Sequence, residues 1–87
     1  MLSLNCYGKK FYIDEELAGY ISSNGDFFHI EGYKFGSLSL DGDIYINGEY
    51  FGYINEKREI ISNNEIIGHI NEYNDIILSY SALAKNQ

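Results

Sequence analysis

Four glycines, Gly19, Gly36, Gly52 and Gly68, fall 17, 16 and 16 residues apart. Each is preceded by an apolar residue (Ala18, Phe35, Phe51, Ile67) and followed two residues later by an aliphatic one (Ile21, Leu38, Ile54, Ile70). Eight residues before each glycine stands another large apolar side chain: Phe11, Phe28, Ile44 and Ile60. A sequence that repeats itself at so short a period repeats one supersecondary unit. Residues 43–55 show what that unit is. Two arms of alternating apolar and polar residues flank Asn47-Gly48, the pair that most readily takes positive φ at both central positions of a type I′ turn. This is a β-hairpin. Glu31-Gly32, Asn63-Asn64 and Asp14-Glu15 stand at the corresponding turns.

A two-stranded hairpin is marginal in water, so the copies must bury their apolar faces against one another. Nine Tyr and five Phe, with no Pro, favour pleated and half-buried surfaces. The 87 residues make a single domain, residues 1–87, that buries about 60–65% of its unfolded surface. The expected fold is all-β: four or five antiparallel hairpin repeats of 16 or 17 residues, packed around a pseudo-symmetry axis. An open twisted meander is the alternative. Closure leaves fewer exposed strand edges.

The connections, residues 22–26, 39–43, 55–59 and 71–75, are short and polar, as in compact domains. An eroded fifth copy comes next, at Ile76, Ser79-Tyr80, Leu83 and Ala84. Strand pairing is preferred there over a terminal helix opened by Asn74 or Asp75. Residues 2–7 alternate and read as a leading strand that ends in a turn at Gly8-Lys9. In the central copy, Ile44, Ile46 and Phe51 share a face, and Tyr45 and Tyr50 lie on the other. Strict alternation would put Ile54 with the tyrosines. Either Gly52 takes positive φ in a bulge that resets the parity, or it lets another group approach closely.

The pattern of apolar-Tyr-Ile, an Asn-Gly turn, then Phe-Gly-Tyr-Ile-Asn resembles the small bacterial fourfold β-flower proteins. The likeness runs over residues 11–70, carried by the four glycines and by Ile21, Leu38, Ile54 and Ile70. It implies hairpins radiating about a pseudo-fourfold axis, and essentially no function.

A formal net charge of −7 argues against nucleic acid, whose affinity comes from Lys and Arg on phosphates. Cys6 is the only cysteine, which fits a reducing compartment, the cytoplasm, and reads as a small core residue. The opening residues lack a charged leader before an apolar run, so no signal peptide is expected, and no apolar run is long enough to span a membrane. His29 and His69 fall short of a zinc ligand set, and Asp41-Gly42-Asp43 lacks the spaced oxygens of a calcium loop. No cofactor and no catalytic constellation is indicated, so the chain reads as a non-enzyme. Asp26, Asp43, Glu59 and Asp75 recur at the mouths of successive hairpins as a prospective acidic rim.

What remains is aromatic. Tyr12, His29 and Tyr45 form one column, Tyr20, Tyr53 and His69 another, and Tyr50 faces Tyr45. Tyr joins a large apolar body to a polar tip, a combination enriched at interfaces. These residues are the candidate binding surface of a protein that acts by contact with another protein. The reading extends to an inhibitor of a basic or nucleic-acid-handling target, of the kind a phage or mobile element carries. Its rivals are a small-molecule (nucleotide or sugar) binder and a structural homo-oligomer.

Overall fold

The computed structural model describes residues 8–79, and every regular element in that span is a strand. In chain order these are β1 (Lys10–Ile13), β2 (Glu16–Ile21), β3 (Asp26–His29), β4 (Lys34–Leu38), β5 (Asp43–Ile46), β6 (Glu49–Ile54), β7 (Glu59–Ser62), β8 (Glu65–Ile70) and β9 (Ile76–Leu78). They pair in sequence order and close into a barrel. Strand direction alternates, so in a nine-stranded ring β1 and β9 run the same way. The closing pair is therefore parallel, with Phe11, Tyr12 and Ile13 opposite Ile76, Ile77 and Leu78. Closure replaces the open-row alternative, and residues 76–78 are strand, not helix. The expected N-terminal strand with Cys6, and the part of the expected fifth copy from Tyr80 onward, lie outside the described residues.

The hairpins β1–β2, β3–β4, β5–β6 and β7–β8 each carry one bulge at the same place. Phe11 stands opposite Gly19 but Tyr12 opposite Leu17, which leaves Ala18 as the extra residue. Phe35, Phe51 and Ile67 are extra in the β3–β4, β5–β6 and β7–β8 pairs. The inserted residue packs inward, and the parity beyond it is reset: Ile54 is buried while Tyr53 is exposed. The bulge is thus present, but positive φ is not its cause, because none of Gly19, Gly36, Gly52 and Gly68 has it. A Cβ on these glycines would overlap the main-chain oxygen of Phe28, Tyr45, Ile61 or Ile77 on the next strand. Bulge and close approach, posed as alternatives by the sequence, are both realised at one site.

Positive φ is found in the turns instead. Asp14-Glu15, Asn47-Gly48 and Asn63-Asn64 have it at both positions, as type I′ turns require. The second hairpin is different: residues 30–33 form its loop, closed by the His29 N–H donating to the Tyr33 carbonyl at 2.7 Å. That loop holds the additional residue behind the 17-residue spacing. Consequently Phe27, not Phe28, stands opposite Gly36 and is fully buried, and Phe28 turns outward.

The connections at the other end share one hydrogen-bonded form. Ser22, Ser39, Asn55 and Asn71 each accept, through the side-chain oxygen, the N–H four residues on, at 2.9–3.0 Å. Their main-chain N–H groups donate to Asp26, Asp43, Glu59 and Asp75 at 2.8–3.0 Å. The fourth residue of each has positive φ, and it is Gly25, Gly42, Arg58 or Asn74. Side-chain acceptors of this kind hold a turn by satisfying main-chain donors that no strand reaches.

Inside, three rows of side chains point toward the barrel axis. Ile21, Leu38, Ile54 and Ile70 close the connection end, and Phe11, Phe27, Ile44, Ile60 and Ile76 form the middle. Phe11, Phe27 and Phe35 pack as a triangle with ring centroids 5.5–5.8 Å apart. The turn end takes Ile13, Ile46 and Leu78 together with the bulge residues. Among the described residues, the buried polar side chain there is Ser62, whose hydroxyl donates to the Phe51 carbonyl at 2.6 Å.

Glu15, at φ 69°, occupies a left-handed position without the glycine that position favours. Replacing it, Glu15→Gly, is expected to stabilise the fold by about 0.5–1 kcal/mol in urea unfolding.

Candidate interaction surface

Alternation along each strand sends one set of side chains outward at mid-height. Directly opposite one another between hairpins are Tyr20 and Phe28, Ser37 and Tyr45, Tyr53 and Ile61, and His69 and Ile77. Ile77 in turn faces Tyr12 across the parallel seam. The outward row is therefore a belt that runs around the whole barrel. Within hairpins it widens toward the turns: Tyr12 faces Leu17, Tyr45 faces Tyr50 and Ile61 faces Ile66.

Exposure is uneven. Tyr45, Tyr53 and Tyr50 are 36%, 42% and 58% exposed on a single hairpin, which makes β5–β6 the most open aromatic part of the belt. The Tyr45 and Tyr50 rings meet edge to face, centroids 5.8 Å apart at 75°. Such contacts hold two large rings in fixed positions while leaving their faces to solvent. Tyr20 is 46% exposed on β2, and Tyr12 is half-buried.

His29 does not join them. With the second hairpin's loop one residue longer, His29 belongs to the inward row of Ile13, Ile46, Ser62 and Leu78, and Phe28 takes its place beside Tyr12 and Tyr45. The His29 ring stacks on Tyr33 at 4.6 Å, and its Nδ1 accepts the Glu31 N–H at 3.0 Å. It organises its own loop. Sequence reasoning missed Phe28, Ile61 and Ile77 as belt members. The 17-residue spacing was the available signal, but it does not say where the extra residue lies.

The acidic residues at the strand starts are largely engaged. Asp26 pairs with Lys34 at 3.2 Å, the Glu59 carboxylate accepts from Asn55 at 2.9 Å, and the Asp75 carboxylate accepts the Lys10 N–H at 3.0 Å across the seam. Lys10 itself occupies the same level on β1, which breaks the acidic ring. Glu59 stands opposite His69, a juxtaposition hidden by ten residues of sequence. Among the described residues, no three His, Cys, Asp or Glu side chains converge on a point that could hold a metal ion. Among them also, no helix is long and apolar enough to cross a membrane.

Beside β9 the belt deepens into two open grooves that share Glu15, His69 and Ile77, of about 530 and 470 Å³. Tyr12 and Tyr73 line the smaller one. No family model, no curated protein and no solved structure matches the chain.

Partial desolvation first, then the charge of Asp43 and the phenols of Tyr53 and Tyr45, raise the Tyr50 phenol above its ordinary 10.0. A raised acid favours the folded state below its ordinary value, and that stabilisation is lost as pH climbs through the raised value. The exposed position of Tyr50 keeps the effect on stability small. Residue-resolved NMR titration is expected to show Tyr50 ionising above the ordinary 10.0, and at lower pH in the Asp43→Asn variant than in the unaltered chain.

Proposed function

We propose that the protein is a non-enzymatic binding protein that engages another protein through the outer aromatic belt, centred on Tyr45, Tyr50 and Tyr53. The observation that carries this reading is three tyrosines exposed together on one hairpin, two of them in fixed ring contact. Exposed apolar groups gathered in a patch mark interaction surfaces, whereas singly scattered ones do not. Tyr also orders at low entropic cost, having only two side-chain torsions. Asp43 stands opposite Tyr53 on the same hairpin, so the suited partner presents an apolar or aromatic surface carrying Lys or Arg near that end. Such a partner fits the overall charge and the idea of an inhibitor directed at a basic target in the cytoplasm.

We read the barrel as four copies of a bulged hairpin plus the first strand of a fifth, arranged about a pseudo-symmetry axis in the manner of the β-flower proteins. The matching registers of the four hairpins support it. So does β9, which meets β8 as β3 meets β2, with Gly68 opposite Leu78 and Gly19 opposite His29.

A second reading, a small ligand held against aromatic rings, is favoured by the groove between Tyr12, His69 and Tyr73. Its Glu15 and Asp75 would select a planar cation over a nucleotide's phosphates. Self-association by strand-edge pairing has less to recommend it, since every described strand has two neighbours.

The test is site-specific photocrosslinking in the source cell from position 50, with position 57 in the opposite connection as control. One discrete adduct from position 50, lost when Tyr45 and Tyr53 are both replaced by Ser in a chain that stays folded, is the expected outcome. Equal labelling from both positions, or an adduct indifferent to the tyrosines, would contradict the proposal.

A further inference from the structure

The turn end of the barrel is underfilled, and the sequence explains why. Of the inward positions at that level, Ala18 is small, Ser62 turns its hydroxyl to the Phe51 carbonyl, and His29 stacks on Tyr33. Three places that large aliphatic or aromatic residues hold in neighbouring hairpins thus contribute little volume to the axis. A cavity of about 170 Å³ results. Ile13, Ile46 and Leu78 line it from the turn-end row, and Phe35 and Phe51 from the bulges. Phe11, Ile44 and Ile76 form its floor. Below them the row of Ile21, Leu38, Ile54 and Ile70 is almost fully buried and seals the other end. Ile13, Phe35, Ile46 and Phe51 are half-buried, so the cavity is approached from the turns.

We propose that this axial cavity is a binding site for a free, uncharged hydrocarbon ligand of about the size of one benzene ring. Every lining side chain is hydrocarbon, so water entering from the turns meets no side-chain hydrogen-bonding partner there. A cavity of about 150 Å³ lined by Leu, Ile and Phe stays dry and takes up benzene, which sets the scale. Drug-sized ligands occupy pockets of roughly 300–1,000 Å³, which excludes nucleotides and most sugars here. A charged or hydroxylated group would give up its hydration with nothing in return. Three phenylalanines in the wall suit an aromatic ring best, because edge-to-face contacts add to simple burial. The site is independent of the outer belt, since its residues point to the opposite side of the sheet.

Methyl-resolved NMR of the whole chain, titrated with benzene, tests the proposal. The expected result is one saturable set of shifts at Ile13, Ile44, Ile46, Ile76 and Leu78, with Ile61 and Ile66 on the outer face unmoved. Filling the cavity with Ile46→Phe should weaken benzene at least tenfold, and phenylacetate should not bind. Absence of saturable shifts, equal shifts on the outer face, or phenylacetate binding as tightly as benzene would overturn it. N-acetylphenylalanine amide binding more tightly than benzene would assign the cavity to a partner's side chain and likewise overturn it. If Ile46→Phe does not fold, xenon on the unaltered chain decides: shifts confined to the same five methyl-bearing residues support the site, and scattered shifts refute it.

Discussion

The structure depends on the contact between the glycine that follows each bulge residue and the main chain of the next strand. At Gly19, Gly36, Gly52 and Gly68 there is no room for a Cβ, because a carbonyl oxygen of the neighbouring hairpin occupies the space. That approach lets one residue be inserted without pushing the hairpins apart. The inserted residue faces inward and fills the axis. Beyond it the parity of the strand changes, so the same strand offers a tyrosine to solvent and an isoleucine to the core. Four such strands bend the sheet enough for nine short strands to close, with the parallel β1–β9 pair completing the ring. Bulges bend strands and increase their twist, as closing a small barrel demands.

Much of this was legible in the sequence because the glycine column is conspicuous. The hairpin, the Asn47-Gly48 turn, the inward Ile54 and the strand at residues 76–78 could all be read from residue type and spacing. Two things could not. The sequence shows an additional residue between Gly19 and Gly36, but either the turn or the connection could hold it. The choice moves Phe27 and Phe28 between core and surface and removes His29 from the tyrosine column. Nor could the number of strands be read, since closure is decided by whether β9 hydrogen-bonds to β1, and no local pattern records that. The connection motif was also missed, because Ser and Asn serve equally as acceptors, and Gly, Asn and even Arg58 fill the left-handed position. The column is chemically uniform and alphabetically diverse.

Six of the seven candidate residues, all but His29, lie on the outer face. They divide between an open aromatic hairpin, β5–β6, and a seam beside β9 where His69 meets Glu59 and Ile77. The same bulge that turns Tyr53 outward turns Phe51 inward, so the belt and the axial cavity are two products of one local distortion. A substitution that removed the bulge would be felt on both faces of the sheet.

Comparing two glycines within one hairpin measures the central claim most directly. Gly48 has positive φ and open space around it, whereas Gly52 has ordinary φ and no space. Urea unfolding of Gly48→Ala and Gly52→Ala separates conformational preference from close approach. The account predicts a loss of about 1 kcal/mol for Gly48→Ala and about 3 kcal/mol or more for Gly52→Ala. A Gly52→Ala variant as stable as Gly48→Ala, or more so, would contradict it.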